Sequence, residues 1–184
     1  MTDYKSANRK SRKSRFPYPQ THKASPHYDY SQNGCYFVTV CVQDRKKLLS
    51  RIPKEIKNAD FVGANCVRPQ LTAIGRVVDE ELQKLNTVYP NVHLDAYIIM
   101  PDHIHLLLRF DDFECGRTQF APTLSRVIKH YKGIVTKRLG FSMWQKGFYD
   151  RVLRNETDFY RAWEYIEYNA VKEYAQNFKN PPRR

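Results

Sequence analysis

His103-Ile104-His105 is the segment of this chain whose residue types point most directly to chemistry. On a strand, residues i and i+2 project to one face, so both imidazoles can approach a single ion while Ile104 points the other way. Leu106-Leu107-Leu108 follow and mark the segment as largely buried. Two histidines in such a setting are either a ligand pair or a hydrogen-bonded pair in the core. A ligand pair needs a third group, and the C-terminal region offers one. Tyr165 and Asn169 are spaced i and i+4, which places them on one helical face about one turn apart. Tyr165 can supply a nucleophilic oxygen and Asn169 a carbonyl oxygen for a hard cation. Alternatively, Tyr165 is a packing residue of a helix that also carries Trp163, Tyr168 and Tyr174.

The elements that would position these groups follow from periodicity. Cys35 to Val42 is rich in β-branched and aromatic residues and reads as a buried strand. Leu71, Ile74, Val77, Val78, Leu82 and Leu85 recur near helical period, with Thr72 as N-cap and Pro90 beyond the end. Val92 to Met100 and His103 to Phe110 are two apolar runs joined at Pro101-Asp102, a hairpin pattern. A second helix carries Leu124, Val127, Ile128, Tyr131, Val135 and Leu139 on one stripe and stops at Gly140. Phe148 to Arg154 reads as a further strand, and Asn155-Glu156-Thr157-Asp158 opens a last helix through Tyr165. The order β-α-β-β-α-β plus a terminal helix predicts an α+β fold. Its form is the ferredoxin-like split βαβ arrangement, an antiparallel sheet with helices on one face and an added C-terminal helix carrying the tyrosine.

The chain has 184 residues, 41% hydrophobic, which suits one compact domain and excludes wholesale disorder. No apolar run approaches the ~20 residues of a bilayer span, and no signal-peptide pattern is present, so a cytoplasmic protein is expected, with no membrane partner. Thirty-one Lys and Arg against 19 Asp and Glu leave a net charge of +12. That surplus calls for an anionic partner, nucleic acid first. Residues 1–26 read as a flexible basic arm, 27–178 as the functional domain and 179–184 as a basic tail. Arg126, Lys129 and Lys132 on the second helix, with Arg151 and Arg154 around the following strand, are candidate phosphate contacts; the bland alternative is a solvated face. Cys35, Cys41, Cys66 and Cys115 form no C-x-x-C pair, which speaks against a zinc ribbon or redox dithiol and for free thiols.

In combination these blocks become recognisable. Met100-Pro101-Asp102-His103-Ile104-His105-Leu106-Leu107-Leu108 resembles the His-hydrophobic-His motif of single-tyrosine transposases that act on single-stranded DNA. Trp144-Gln145-Lys146-Gly147-Phe148-Tyr149-Asp150-Arg151-Val152-Leu153-Arg154-Asn155 and Tyr165-Ile166-Glu167-Tyr168-Asn169 resemble the C-terminal blocks of one branch, the REP-associated tyrosine transposases of bacteria. The resemblance spans residues 30 to 178 approximately. It implies that His103 and His105 are metal ligands, Tyr165 the nucleophile and Asn169 a polar third ligand. It further implies a bacterial, nucleoid-associated enzyme that works on single-stranded or hairpin DNA, as a monomer with its tyrosine helix folded back in cis rather than as a helix-swapped dimer. Two positions depart from the family pattern: Asp102 stands where Asn is usual, leaving an extra carboxylate beside the site, and Ala170 where Pro is usual, allowing the helix to continue.

The chemistry is coherent with that resemblance. Phosphodiester cleavage requires neutralising charge on the phosphate oxygens, which Mg²⁺ or Mn²⁺ held by the two histidines would do. A tyrosine hydroxyl has a pKa near 10 and needs such help at neutral pH. Attack would leave a 5′-phosphotyrosine and a free 3′-hydroxyl, conserving bond energy for rejoining. A histidine-triad hydrolase would need another His at position 107, which is Leu. A catalytically inactive nucleic-acid-binding module of the same fold is the non-enzymatic alternative.

Overall fold

The computed structural model of the chain describes residues 34–53, 68–111 and 122–179. The arm expected at 1–26, the tail beyond Lys179, and Cys66 and Cys115 lie outside the described residues.

Four strands form the main sheet: β1 (Gly34–Cys41), β4 (Val92–Ile99), β5 (His103–Phe110) and β6 (Tyr149–Leu153), in the order β4-β5-β1-β6. Every neighbouring pair is antiparallel. The intervening β2 (Ser50–Arg51) and β3 (Gln70–Leu71) make a separate two-stranded ribbon that periodicity did not reveal, because two residues carry no pattern. Ser50 ties that ribbon to the sheet by donating to the Ile99 carbonyl at 2.8 Å.

The helices are α1 (Ala73–Gln83), α2 (Leu85–Val88), α3 (Leu124–Leu139) and α4 (Glu156–Lys179). Thr72 caps α1 by accepting from the Gly75 amide at 3.0 Å. The stripe from Leu71 to Leu85 does not form one helix: Lys84, with ψ −8°, separates α1 from the short α2. Thr123 caps α3, and Gly140 ends it with φ +78°, a left-handed turn that glycine adopts without a Cβ clash. The Asn155 side chain accepts from the Asp158 amide at 2.9 Å to start α4, which runs unbroken past Ala170.

The sheet is covered on both faces. Tyr36, Val38, Val40, Ile104, Leu106 and Leu108 point to one side and pack with Val78, Leu82, Leu124, Val127, Ile128 and Val135 of α1 and α3. The alternate residues, Phe37 and Leu107 among them, meet Ala162 and Ile166 of α4 on the other side. The two helices of the split βαβ unit, α1 and α3, therefore share one face as expected, and the additional helix α4 covers the other. The physical reason is visible in β5: Leu107 is fully buried on the histidine side, and an apolar second face requires its own cover.

Candidate active site

Strand pairing assembles the site. His103 and His105 lie at the start of β5, with His103 opposite Cys41 and His105 opposite Thr39 of β1. Alternation sends both imidazoles to the α4 face, while Ile104 is buried in the opposite core. The two Nε2 atoms stand 3.1 Å apart. Each Nδ1 is held from behind: His103 Nδ1 lies 2.6 Å from Asp102 Oδ1, and His105 Nδ1 lies 2.8 Å from Thr39 Oγ1. A carboxylate accepts only, so His103 donates through Nδ1, which turns its Nε2 toward His105. The Thr39 hydroxyl can donate or accept, so it tolerates either tautomer of His105.

Burial sets the charge of these groups. His105 is 6% exposed, and its pKa is driven well below the usual histidine value by desolvation, then by His103 and Arg45. It is therefore neutral at physiological pH, the form that ligates a metal. Burial alone would raise the Asp102 carboxyl, but the hydrogen bond and charge of His103, with Arg45 at 3.5 Å, hold it below its ordinary value. Two imidazole nitrogens 3.1 Å apart, each ring oriented by a hydrogen bond at its other nitrogen, fit a shared divalent cation at ~2 Å from each ligand.

Helix α4 brings Tyr165 to this pair. Its ring meets His105 edge to face with centroids 5.2 Å apart, and meets Phe37 at 5.6 Å. Phe37 also stacks on His105 at 5.1 Å, so the three rings contact one another in a triangle. Tyr165 is 9% exposed, whereas Tyr160 at 66% and Tyr168 at 37% face outward. Asn169 is buried one turn on, and its Nδ2 has no hydrogen-bond partner. A buried amide left incompletely paired is costly. Lys172 places its Nζ 5.2 Å from the centre of the Tyr165 ring.

The basic residues expected to meet DNA divide into two groups. Arg126, Lys129 and Arg154 are exposed. Lys132 instead donates to the carbonyls of Gln145 at 2.6 Å and Gly147 at 3.0 Å, pinning the loop before β6 to α3. Arg151 pairs with Asp158 at 3.1 Å. Arg126, Lys129 and Lys132 belong to α3 and so lie across the sheet from the histidines.

Three participants escaped sequence reasoning. Thr39 reaches His105 through strand register, which no local pattern discloses. Arg45 reaches Asp102 through a left-handed turn at Asp44 and Arg45, with φ 56° and 54°. Glu173 is the exception that spacing would have found, since it lies i+4 from Asn169 and i+8 from Tyr165. Its pKa is raised by burial and by Asp102 against the opposing effects of His103, Lys47 and Arg45.

Fold and site together define a ferredoxin-like sheet whose His-hydrophobic-His strand faces a tyrosine on a following helix. The chain is 27% identical over 164 residues to a Haemophilus influenzae protein provisionally described as a REP-associated tyrosine transposase, covering 84% of this chain and 80% of that one. A second Haemophilus influenzae protein, uncharacterised, is 24% identical over 164 residues, covering 79% of this chain and 84% of the relative. Among solved structures, a REP-associated tyrosine transposase bound to a REP hairpin superposes with a TM-score of 0.56 at 20% identity, over 82% of this chain and 74% of that chain. No family model matches. The resemblance to REP-associated tyrosine transposases thus extends over most of the chain, in sequence and in fold.

Proposed function

We propose that the chain is a metal-dependent endonuclease and strand transferase for single-stranded or hairpin DNA, acting through a 5′-phosphotyrosine. The observation that carries this reading is the meeting of the His103 and His105 Nε2 atoms, 3.1 Å apart, beside the Tyr165 ring. Mg²⁺ or Mn²⁺ bound by His103 and His105, with Asn169 as third ligand, would supply Lewis-acid polarisation of the phosphate. Tyr165 Oη then attacks phosphorus and loses its proton, forming the phenol–phosphorus bond. The bond from phosphorus to the 3′ oxygen breaks, and that oxygen leaves as a hydroxyl after taking up a proton. Reversal by another 3′-hydroxyl rejoins a strand without an external energy source.

Asp102 and Thr39 hold the imidazoles in place from their Nδ1 sides. Arg126, Lys129 and Arg154 provide exposed charge for the duplex part of a hairpin, as the hairpin bound by the structural neighbour suggests. One copy carries His103, His105 and Tyr165 together, which supports a monomer. No helix of the described residues is long and apolar enough to cross a membrane.

The test is incubation of the full chain with hairpin oligonucleotides and Mn²⁺, followed by denaturing electrophoresis. A covalent adduct that disappears with chelator and in His103→Ala is expected. Binding without any adduct would instead establish the inactive binding module.

A further inference from the structure

Helix α4 crosses its face of the sheet on a diagonal. It starts beyond the end of β6, with Phe159 near Leu153, packs Ile166 in the cluster around Leu107, and reaches Met100 with Ala170. The opposite corner, where β6 begins and β1 ends, is left uncovered by α4. Tyr149 stands there with 59% of its surface exposed. Register makes its position specific: Tyr149 is opposite Thr39, and Thr39 is opposite His105. The three form one row across adjacent strands and share the α4 face, so Tyr149 lies about 10 Å from His105 at ~4.8 Å per strand.

Arg45 bounds the same corner. Two residues beyond Thr39 on the same face, Cys41 lies beneath its guanidinium, with Nη1 3.1 Å from Sγ. Arg45 Nε stands 3.5 Å from Asp102, and the side chain remains 48% exposed. Asp44 and Arg45 hold consecutive left-handed conformations to bring it back over the sheet, a cost that non-glycine residues incur only where the surroundings impose it.

We infer that this corner is a subsite for one unpaired nucleotide next to the bond that is cut, with Tyr149 stacking on the base and Arg45 meeting its phosphate. The inference rests on the nuclease reading above. An exposed aromatic ring on a sheet face is the usual support for an unpaired base, because every base has a π-face. The guanidinium supplies a planar fork suited to phosphate oxygens. The overall charge of +12 favours a polyanion in an open corner over an apolar partner.

Binding of hairpin oligonucleotides to the full chain carrying Tyr165→Phe separates this subsite from catalysis. An abasic position is moved along the unpaired strand, and a methylphosphonate along its backbone. One abasic position should weaken binding about tenfold, adjacent to the bond that the wild type cuts. That loss should persist in Tyr149→Phe and vanish in Tyr149→Ala, where the ring is gone. The methylphosphonate at the neighbouring linkage should weaken binding with Arg45 present and have no effect in Arg45→Gln. A sensitive base that stays sensitive in Tyr149→Ala, or no sensitive base at all, overturns the subsite. A wild type that binds but never cuts overturns the nuclease reading; the position then has no cut bond beside it, and the inference falls with it.

Discussion

Thr39 Oγ1 lies 2.8 Å from His105 Nδ1, joining β1 to an imidazole on the neighbouring β5 that the chain places 66 residues later. The hydroxyl is the hydrogen-bond partner that orients this ring from its Nδ1 side. Thr39→Val keeps the shape and removes the hydrogen bond. Mn²⁺ affinity, measured by titration on the full chain, should fall about tenfold, and Thr39→Ser should restore it. Unchanged affinity in the valine variant would show that packing against Phe37 and Tyr165 suffices to hold the ring.

Tyr165→Phe preserves the ring that meets His105 and Phe37. The variant should fold and bind hairpin DNA, yet form no covalent adduct. Peptide mapping of the wild-type adduct should find Tyr165 and not the exposed Tyr168. An adduct on Tyr168 would reassign the nucleophile while leaving the histidine pair in place.

Glu81 of α1 receives Lys84 at 2.8 Å and Arg138 of α3 at 2.6 Å. Burial would raise its pKa, but those two cations bring it below the ordinary glutamate value. A carboxyl with a depressed folded-state pKa stabilises the fold above its unfolded value, and the contribution disappears as pH falls through the folded one. Glu81→Gln should therefore cost about 1–2 kcal/mol at pH 7. The gap from wild type in denaturant unfolding should close as pH falls below 4.5. A gap independent of pH would mean that the glutamine loses packing rather than charge.

Gly75 marks the closest approach of α1 to the segment before β2. A Cβ there would run into the Leu49 carbonyl oxygen, a backbone atom that cannot swing aside. Gly75→Ala should lower stability by about 1–3 kcal/mol, although alanine favours helix by itself. A thermal midpoint at or above that of wild type would show that the segment at Leu49 yields.

The sequence by itself determined the local elements and the chemical vocabulary of this protein. Alternation along residues 103–108 separates His103, His105 and Leu107 from Ile104, Leu106 and Leu108, because strand side chains alternate whatever the strand packs against. The i, i+4 relation of Tyr165 and Asn169 is likewise local to a helix. Thr72 and Gly140 punctuate the helices through short-range hydrogen bonds and backbone conformation, and both are legible in the sequence.

Tertiary structure decided which surfaces meet. Thr39 becomes a partner of His105 only through the β1–β5 register, a contact between distant residues that no local period encodes. Lys132 and Arg151 look like Lys129 and Arg154 in sequence, yet the first pair is engaged by carbonyls and by Asp158 while the second remains exposed. A charged side chain takes whichever partner the fold brings within reach, and that is a property of three-dimensional neighbours. The placement of α4 opposite α1 and α3 has the same origin: helical phase defines an apolar stripe, but the uncovered Leu107 face of the sheet decides where that stripe is buried.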